Sequence, residues 1–144
     1  MNRIAQSSSF GKDFFDSEKM GAYKRYRFED ALPSSRAKSQ LVKKHFNPTR
    51  ALDLGCANGS TVYAFREMGI ESFGADISEA ALLSAPTSIQ PYLHKVNLDT
   101  DVLPFGTNCF DFVMLSGTIE YLHNHEHCVS EIERVIRDSG SLLI

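Results

Sequence analysis

The sequence predicts an α/β fold in which helices cover both faces of a doubly wound, mostly parallel sheet of about five strands. Short apolar segments alternate along the chain with segments of helical periodicity, and parallel strands need such crossover helices. Carboxylates and small residues follow several of the apolar segments, and doubly wound sheets bind ligands at that edge. A glycine-rich turn within residues 51–60 is the most informative of these strand ends.

The first elements follow a polar and aromatic N-terminal arm, residues 1–33, which precedes the predicted domain at residues 34–144. A serine pair at residues 34–35 can cap a helix that ends near Phe46, where an Asn-Pro pair disfavours helical backbone. The first strand is then predicted at residues 50–54.

The second strand is reached through a crossover helix at residues 59–68, for which Gly69 is the C-terminal stop. This strand spans residues 71–75 and leads directly into a carboxylate. Ser78 then supplies a hydroxyl that can cap a short helix.

The third strand is predicted at residues 92–98 and the fourth at residues 110–115. The fourth is mostly apolar, as a strand covered on both faces should be. A helix follows at residues 125–137, and residues 138–140 form the turn before a fifth strand that begins at residue 141.

The glycine-rich turn also indicates what it binds. Such a turn lets a ligand approach the backbone and directs the free N–H groups of the next helix at it. A dinucleotide fingerprint would need glycines where this chain has Ala57 and Ser60, and Asp53 would stand beside a pyrophosphate. A nucleotide-dependent oxidoreductase is therefore disfavoured, and S-adenosylmethionine, with its ammonium, sulfonium and carboxylate, suits the charges better.

Five segments from about Arg50 to the last residue resemble the class I S-adenosylmethionine-dependent methyltransferases, especially their small-molecule branch. The resemblance implies a Rossmann-like sheet of strand order 3-2-1-4-5 and methyl transfer to a small or medium-sized acceptor. The matching segments are Asp53 with Gly55 and Gly59, residues 74–78, Asp99 with residues 103–105, Phe110 with Asp111, and residues 131–135.

The resemblance also implies which residues contact the amino-acid part of the cofactor. Asp53 takes the methionine ammonium. The backbone of Gly55, Cys56 and Ala57 lies against the methionine, and Gly59 faces its carboxylate. The family usually has glycine where this chain has Ala57, and the added methyl group is tolerated if φ at this residue is negative.

The nucleoside part is assigned in the same way. Asp76 resembles the acidic residue that accepts both ribose hydroxyls, although it could instead serve only the start of the following helix. Ile77 packs on the adenine. Asp99 accepts from the adenine amino group, with the Thr100 N–H near a ring nitrogen, and Asp101 is the competing carboxylate.

The loop after the fourth strand is expected to meet the acceptor. By resemblance, Ser116 and Gly117 border the sulfonium. Methyl transfer depends mainly on alignment, and it needs a base only if the acceptor has a proton to lose. Candidate bases are Glu120, Tyr121 and His123, each of which suits a surface or packing role at least as well.

A metal site is not expected, although histidines cluster at one place in the chain. His123, His125 and His127 alternate along the sequence and are followed by Cys128. This single cluster lacks the paired-ligand spacing of structural zinc sites. It predicts solvated histidines in a loop or at a helix start.

Composition excludes several partners and compartments. The formal net charge of -3 argues against a nucleic-acid partner. The three cysteines include no Cys-x-x-Cys pair, which fits a reducing compartment and predicts a cytoplasmic protein. No apolar run approaches the roughly 20 residues that cross a bilayer, and the N-terminus does not resemble a signal peptide.

Two expectations concern the limits of the domain. Related sheets usually have seven strands, so the sequence predicts truncation after strand five, or an edge covered by the arm or by a second copy in a homodimer. Tyr23, Tyr26 and Arg27 of the arm either form a lid over the cofactor or pack on the first helix. The alternative function is a catalytically silent cofactor-binding or interaction module.

Overall fold

The computed structural model describes residues 27–144, so Tyr23 and Tyr26 of the predicted lid lie outside the described residues. The helices are α1 (Phe28–Phe46), α2 (Ser60–Glu67), α3 (Glu79–Leu83) and α4 (His125–Val135). The strands are β1 (Arg50–Leu54), β2 (Glu71–Asp76), β3 (Leu93–Lys95), β4 (Phe110–Met114) and β5 (Ile136–Leu143). Short 3₁₀ turns span Gln90–Tyr92 and Ile119–Tyr121.

The five strands form one sheet in the order β3-β2-β1-β4-β5, and all four neighbouring pairs are parallel. Both the predicted fold class and the predicted strand order are confirmed. In this register Asp53 of β1 lies opposite Gly74 of β2 and Met114 of β4. The central strand is therefore bordered on both sides, and its C-terminal end lies in the middle of the ligand-binding edge.

The core has two layers because alternate residues of a strand point to opposite faces. Leu52 and Leu54 pack on one face with Ile132 and Val135 of α4. Ala51 faces the other way, into a cluster in which α1 and α2 take part. The predicted helices on both faces are thus confirmed, and burial of these apolar side chains stabilises the sheet.

The start of α1 differs from the prediction. The helix begins at Phe28 and includes Pro33, so the serine pair does not cap it. Proline removes one helical N–H donor, but the helix continues through it. Ser35 instead turns toward α2, where its hydroxyl lies 2.8 Å from that of Ser60. The division of the chain into an arm and a domain at residue 34 stays a prediction.

The last strands also differ from the prediction. β3 has only three residues: it begins after a 3₁₀ turn that contains Pro91, and it ends at Lys95, three residues before the predicted end. α4 ends at Val135, and β5 begins at the next residue without a loop. The predicted turn at residues 138–140 is a bulge within β5. Phe110 pairs with Ile136 and Phe112 with Ser141, so one intervening residue of β4 faces four of β5.

Three further observations concern the surroundings of this domain. Within residues 27–144, no helix is long and apolar enough to cross a membrane. The three cysteines are free thiols. β5 is the outer strand of the described sheet, and its coverage by a second copy stays a prediction.

Candidate functional site

The carboxyl ends of β1, β2 and β4 bring three loops to one edge of the sheet. The first is the turn of residues 55–59, which we name the β1 turn. The second follows Asp76 at the end of β2. The third, residues 116–124, is named the β4 loop. Because these strands are parallel neighbours, side chains from distant parts of the sequence meet at this edge.

The β1 turn has left-handed backbone at three of its five residues: φ is 80° at Gly55, 47° at Ala57 and 70° at Gly59. The condition under which the sequence analysis tolerated the methyl group of Ala57, a negative φ, is therefore not met. In this conformation the Ala57 N–H donates to Asp76 Oδ2 at 2.8 Å. A residue with a Cβ atom costs roughly 1–2 kcal/mol in this region of φ.

At Gly55 and Gly59 there is also no room for a side chain. A Cβ atom on Gly55 would lie 1.9 Å from Thr118 Oγ1, so the β4 loop packs directly on the β1 turn. A Cβ atom on Gly59 would approach side-chain carbons of Ile89 and Leu93 to 2.9 Å. Both glycines therefore allow close packing, whatever role they have toward a ligand.

Asp53 is the most unusual group of this edge. Its side chain is only 6% exposed, and among residues 27–144 no hydrogen bond contributes to its pKa. Burial raises its pKa to about 7, because an unsolvated carboxylate is disfavoured. The positive charge of Lys38 lowers the pKa and the negative charge of Asp76 raises it, but both effects are smaller than that of burial.

Asp76 is buried beside it but has hydrogen-bond donors. Oδ2 accepts from the Ala57 N–H, and Oδ1 accepts from the Ser78 N–H at 2.8 Å. Burial raises the pKa of Asp76, and these N–H groups oppose the shift. Ser78 caps α3 as predicted, since its hydroxyl accepts from the Ala81 N–H. The carboxylate thus connects the β1 turn to the start of α3.

Cys56 and Ile77 flank these carboxylates. The Cys56 side chain is buried in the core, where Gly74 gives it room, since a Cβ atom on Gly74 would lie 2.6 Å from Cys56 Sγ. Burial raises the pKa of this thiol well above its usual value, and Asp53 adds to the effect. Cys56 is therefore no nucleophile at neutral pH, and only its backbone can face a ligand. Ile77 is half-buried at the edge.

The carboxylates after β3 have different surroundings. Asp99 Oδ1 accepts from the His123 and Asn124 N–H groups, both at 2.8 Å. Asp101 uses both oxygens within its own loop, accepting from the Asn97 N–H and the Thr100 hydroxyl, each at 2.9 Å. Because both oxygens of Asp101 already accept hydrogen bonds, Asp99 is favoured as the carboxylate available to a ligand.

The predicted role of Thr100 needs a rearrangement. Its N–H donates to the Asn97 carbonyl at 3.1 Å, so it would have to share or leave this bond to reach an adenine nitrogen. The Thr100 side chain is exposed, and its role toward a cofactor stays a prediction.

The β4 loop presents the remaining candidates to solvent. Ser116 and Gly117 are exposed, and the space next to Gly117 is open, since a Cβ atom there would meet nothing within 4 Å. Glu120, Tyr121 and His123 are exposed as well. The structure brings these residues to the same edge as Asp53, although it gives none of the three candidate bases a distinguishing environment.

The histidines lie in the β4 loop and in the first turn of α4. His125 Nε2 lies 3.1 Å from the Ile119 carbonyl, and His127 Nε2 lies 2.9 Å from the Asp101 carbonyl. Their ring nitrogens therefore stabilise loops. In the portion of the chain that the structure describes, no group of three potential metal ligands is assembled.

Several polar residues of this edge were missed by the sequence analysis. Asn58 is almost fully buried in the β1 turn, where its Oδ1 accepts from the Ser60 N–H at 3.3 Å. Thr118 lies against Gly55, and Lys38 of α1 acts on Asp53. No sequence pattern predicts the contacts of Thr118 or Lys38, because both depend on packing between segments that are distant in the sequence.

The site fits S-adenosylmethionine. Asp53 is a buried carboxylate without a hydrogen-bond donor from residues 27–144, and burying such a group is costly unless it is paired. An ammonium group would supply the missing charge and donors. Asp76 and Asp99 lie at neighbouring strand ends and provide the acceptors that hydroxyl and amino groups need.

Comparison with known proteins identifies the family of the domain. The family model described as a methyltransferase domain matches residues 52–144, more than half of the chain. Malonyl-(acyl-carrier protein) O-methyltransferase from Enterobacter lignolyticus is 29% identical over 93 residues, 65% of this chain and 37% of that protein. The human mitochondrial protein named arginine-hydroxylase NDUFAF5 is 32% identical over 91 residues, 62% of this chain and 26% of that protein.

Solved structures agree with this result at the level of the fold. The structure of a candidate S-adenosyl-L-methionine-dependent methyltransferase from Methanococcus maripaludis superimposes with a TM-score of 0.73 at 15% identity. The alignment covers 99% of this chain and 66% of that one. The chain spans less than half the length of the two curated relatives described above. From the matched family model, the sheet order and the carboxylates at its edge, we conclude that the chain belongs to the class I S-adenosylmethionine-dependent methyltransferase family.

Proposed function

We propose that this domain binds S-adenosylmethionine at the carboxyl edge of its sheet and supports transfer of the methyl group to a small or medium-sized acceptor. When bound, the cofactor supplies an activated methyl group on a sulfonium. The observation that carries the proposal is Asp53, a buried carboxylate that lacks a hydrogen-bond donor among residues 27–144.

The proposed division of roles follows the position of each carboxylate. Asp53 holds the ammonium of the methionine part, next to the backbone of the β1 turn. Asp76 shares its oxygens between backbone N–H groups and the ribose hydroxyls, and Ile77 covers the adenine. Asp99 accepts from the adenine amino group. Together these contacts would orient the cofactor, and orientation can provide a large part of the rate of an in-line displacement.

The acceptor is proposed to enter beside Ser116 and Gly117, where the edge is open. Among the relatives are a malonyl-(acyl-carrier protein) O-methyltransferase and a demethylmenaquinone methyltransferase, and the latter is 30% identical over 95 residues. Carboxylic acids and quinols are therefore the first acceptor classes to screen. Glu120, Tyr121 and His123 stay the candidate bases for an acceptor that must lose a proton.

Calorimetric titration with S-adenosylhomocysteine tests the cofactor site. We expect micromolar binding by the wild-type chain and at least a tenfold loss in Asp53→Asn, which removes the charge and keeps the shape. Asp138→Asn removes an exposed carboxylate of β5 and should bind as the wild type does. Failure of the folded wild-type chain to bind the product would overturn the proposal.

Turnover distinguishes the enzyme from the alternative of a silent binding module. The assay measures S-adenosylhomocysteine formed from S-adenosylmethionine with carboxylic acid, quinol and amine acceptors. Product formation that depends on the acceptor and is lost in Asp53→Asn supports methyl transfer. Tight binding without turnover on every acceptor class would favour the silent module.

A further inference from the structure

The β4 loop is attached to the rest of the edge at both of its ends. Near its start, Thr118 packs on the Cα atom of Gly55, where any Cβ atom would collide with it. At its end, the N–H groups of His123 and Asn124 both donate to Asp99 Oδ1, each at 2.8 Å. Of the candidate bases, Glu120 and Tyr121 lie between these two attachments, and His123 is itself part of the second.

The second attachment uses one oxygen of Asp99. Across residues 27–144, Oδ2 of this carboxylate accepts no hydrogen bond. Asn124 strengthens the connection, because its Nδ2 donates to the Asp99 carbonyl at 3.3 Å and its Oδ1 accepts from the His127 N–H at the start of α4. Asp101 offers no comparable oxygen, since both of its oxygens serve its own loop.

We propose that Asp99 is a positioning residue shared by the cofactor and the β4 loop. Oδ1 holds the N–H groups of His123 and Asn124, and Oδ2 accepts from the adenine amino group. The proposal rests on the proposed function, because it assumes that adenine lies beside Asp99. A donor on one oxygen restricts rotation of the carboxylate, so cofactor binding would hold the other oxygen in place for the two N–H groups. Occupancy of the cofactor site would thereby order the loop next to the acceptor.

This coupling is reciprocal, because two ligands of one group change each other's affinity by the same factor. A cofactor that tightens the β4 loop must itself bind more tightly when the loop is attached. The attachment can be removed by substituting the carboxylate of Asp99 or by removing a backbone N–H donor of the loop.

The first experiment measures amide exchange of His123 and Asn124 by NMR in the unliganded chain. Asp99→Ala should speed their exchange at least about tenfold, because it removes the acceptor of both N–H groups. Asp99→Asn keeps one oxygen acceptor and should stay within about threefold of the wild type. Asp101→Ala is the matched control and should leave both rates unchanged. Equal rates in the wild type and Asp99→Ala would overturn the attachment.

The second experiment repeats the measurement with saturating S-adenosylhomocysteine. Exchange at these two amides should slow severalfold further in the wild type. In Asp99→Asn the slowing should disappear, because the side-chain amide then presents N–H donors to the adenine amino group. A bond with a purely structural role would give rates that do not respond to the ligand in either protein, and that result would overturn the coupling.

A third experiment removes a hydrogen-bond donor of the β4 loop. His123→Pro removes one of the two N–H donors, and the extended backbone of Leu122, with ψ of 146°, is compatible with a following proline. His123→Ala keeps the donor. The proline variant should bind S-adenosylhomocysteine severalfold more weakly than the alanine variant, and equal affinities would contradict reciprocity. If circular dichroism shows that the proline variant is unfolded, the Asp99→Asn comparison decides the question.

The outcomes separate this inference from the proposed function. Binding that slows exchange equally in the wild type and Asp99→Asn leaves the cofactor site intact and overturns the coupling. Absence of binding by the folded wild-type chain overturns both the proposed function and the coupling. The exchange rates of the unliganded proteins decide whether Asp99 attaches the loop in either case.

Discussion

At the scale of single residues, Asp53 shows a conflict between stability and binding. Its buried carboxylate has no donor from residues 27–144, and burial raises its pKa to about 7 from an ordinary value of 3.8. At pH 7 the folded state therefore holds the protonated and ionised forms in similar amounts, whereas the proposed ammonium ligand needs the ionised form. Ionisation of Asp53 thus destabilises the unliganded domain.

We expect Asp53 to make the free energy of unfolding depend on pH. Because its pKa is higher in the folded state than in the unfolded chain, stability is greatest below about pH 4 and falls as the pH rises through 7. Because burial raises the pKa of Asp53 to about 7, this loss is on the order of a few kcal/mol. Denaturant titrations at several pH values measure the free energy of unfolding. Relative to the wild type, that of Asp53→Asn should rise by about this amount between pH 4 and pH 8. The Asp138→Asn control should show no such trend.

Ala57 gives a second prediction at this scale. Its φ of 47° is unfavourable for a residue with a Cβ atom. Ala57→Gly should therefore raise the free energy of unfolding by about 1 kcal/mol, after part of the gain is offset by greater freedom of the unfolded chain. Ala37→Gly, at an exposed position inside α1, should instead lower it by about 1 kcal/mol. A loss of stability in both variants would contradict the strain at Ala57.

Single residues were predicted well where a strand end determines their position. Asp53 and Asp76 lie at the ligand-binding edge because they end neighbouring parallel strands. The backbone of Ala57 and the bonds of Asp99 could not be predicted, because they depend on contacts between residues that are 19 and 24 positions apart in the sequence.

At the scale of elements, α4 holds the loop that precedes β4. Glu131 accepts from the Leu103 N–H at 2.7 Å, and Arg134 donates to the carbonyls of Leu103 and Phe105 at 3.0 and 2.7 Å. The Glu131–Arg134 ion pair, at 2.7 Å, orients both side chains. The segment 131–135, which resembles a structural part of the family, thus has a structural role in this protein.

Arg134→Met should destabilise the domain by about 1–2 kcal/mol, because it removes the donor of the Phe105 carbonyl and one of the two donors of the Leu103 carbonyl. The measurement is thermal or denaturant unfolding. Arg36→Met serves as the control, since Arg36 forms an exposed ion pair with Glu67, and such pairs contribute little. Equal losses in the two variants would mean that removal of an arginine charge, rather than the loop contacts, causes the effect.

Element boundaries were predicted where residue type alone decides them. Asn47 ends α1 with left-handed backbone, and Ser78 caps α3. The prediction failed at Pro33, which α1 includes. It also failed at residues 138–140, where a bulge replaces the turn. Gly140 suits this bulge because a Cβ atom there would lie 2.5 Å from Ile136 Cγ1.

At the scale of the whole molecule, protonation and ligand binding are linked. S-adenosylhomocysteine carries an ammonium group and should select the ionised form of Asp53. Below pH 7 this form becomes about tenfold rarer with each pH unit, so affinity should rise with pH between 5 and 7 and then level off. Calorimetry at several pH values measures the slope. Asp53→Asn should abolish it, and a flat profile in the wild type would show that this carboxylate does not ionise on binding.

The hydrogen bonds of Asp76 have a consequence for the kinetics of binding. Its two oxygens are held by the N–H groups of Ala57 and Ser78 in the unliganded domain, so the side chain loses its rotational freedom when the chain folds. In the proposed binding mode, the ribose diol would therefore meet a carboxylate of fixed orientation and avoid an ordering cost of about 0.5–1.5 kcal/mol. Association at this end of the site should be limited by diffusive encounter rather than by rearrangement of the protein.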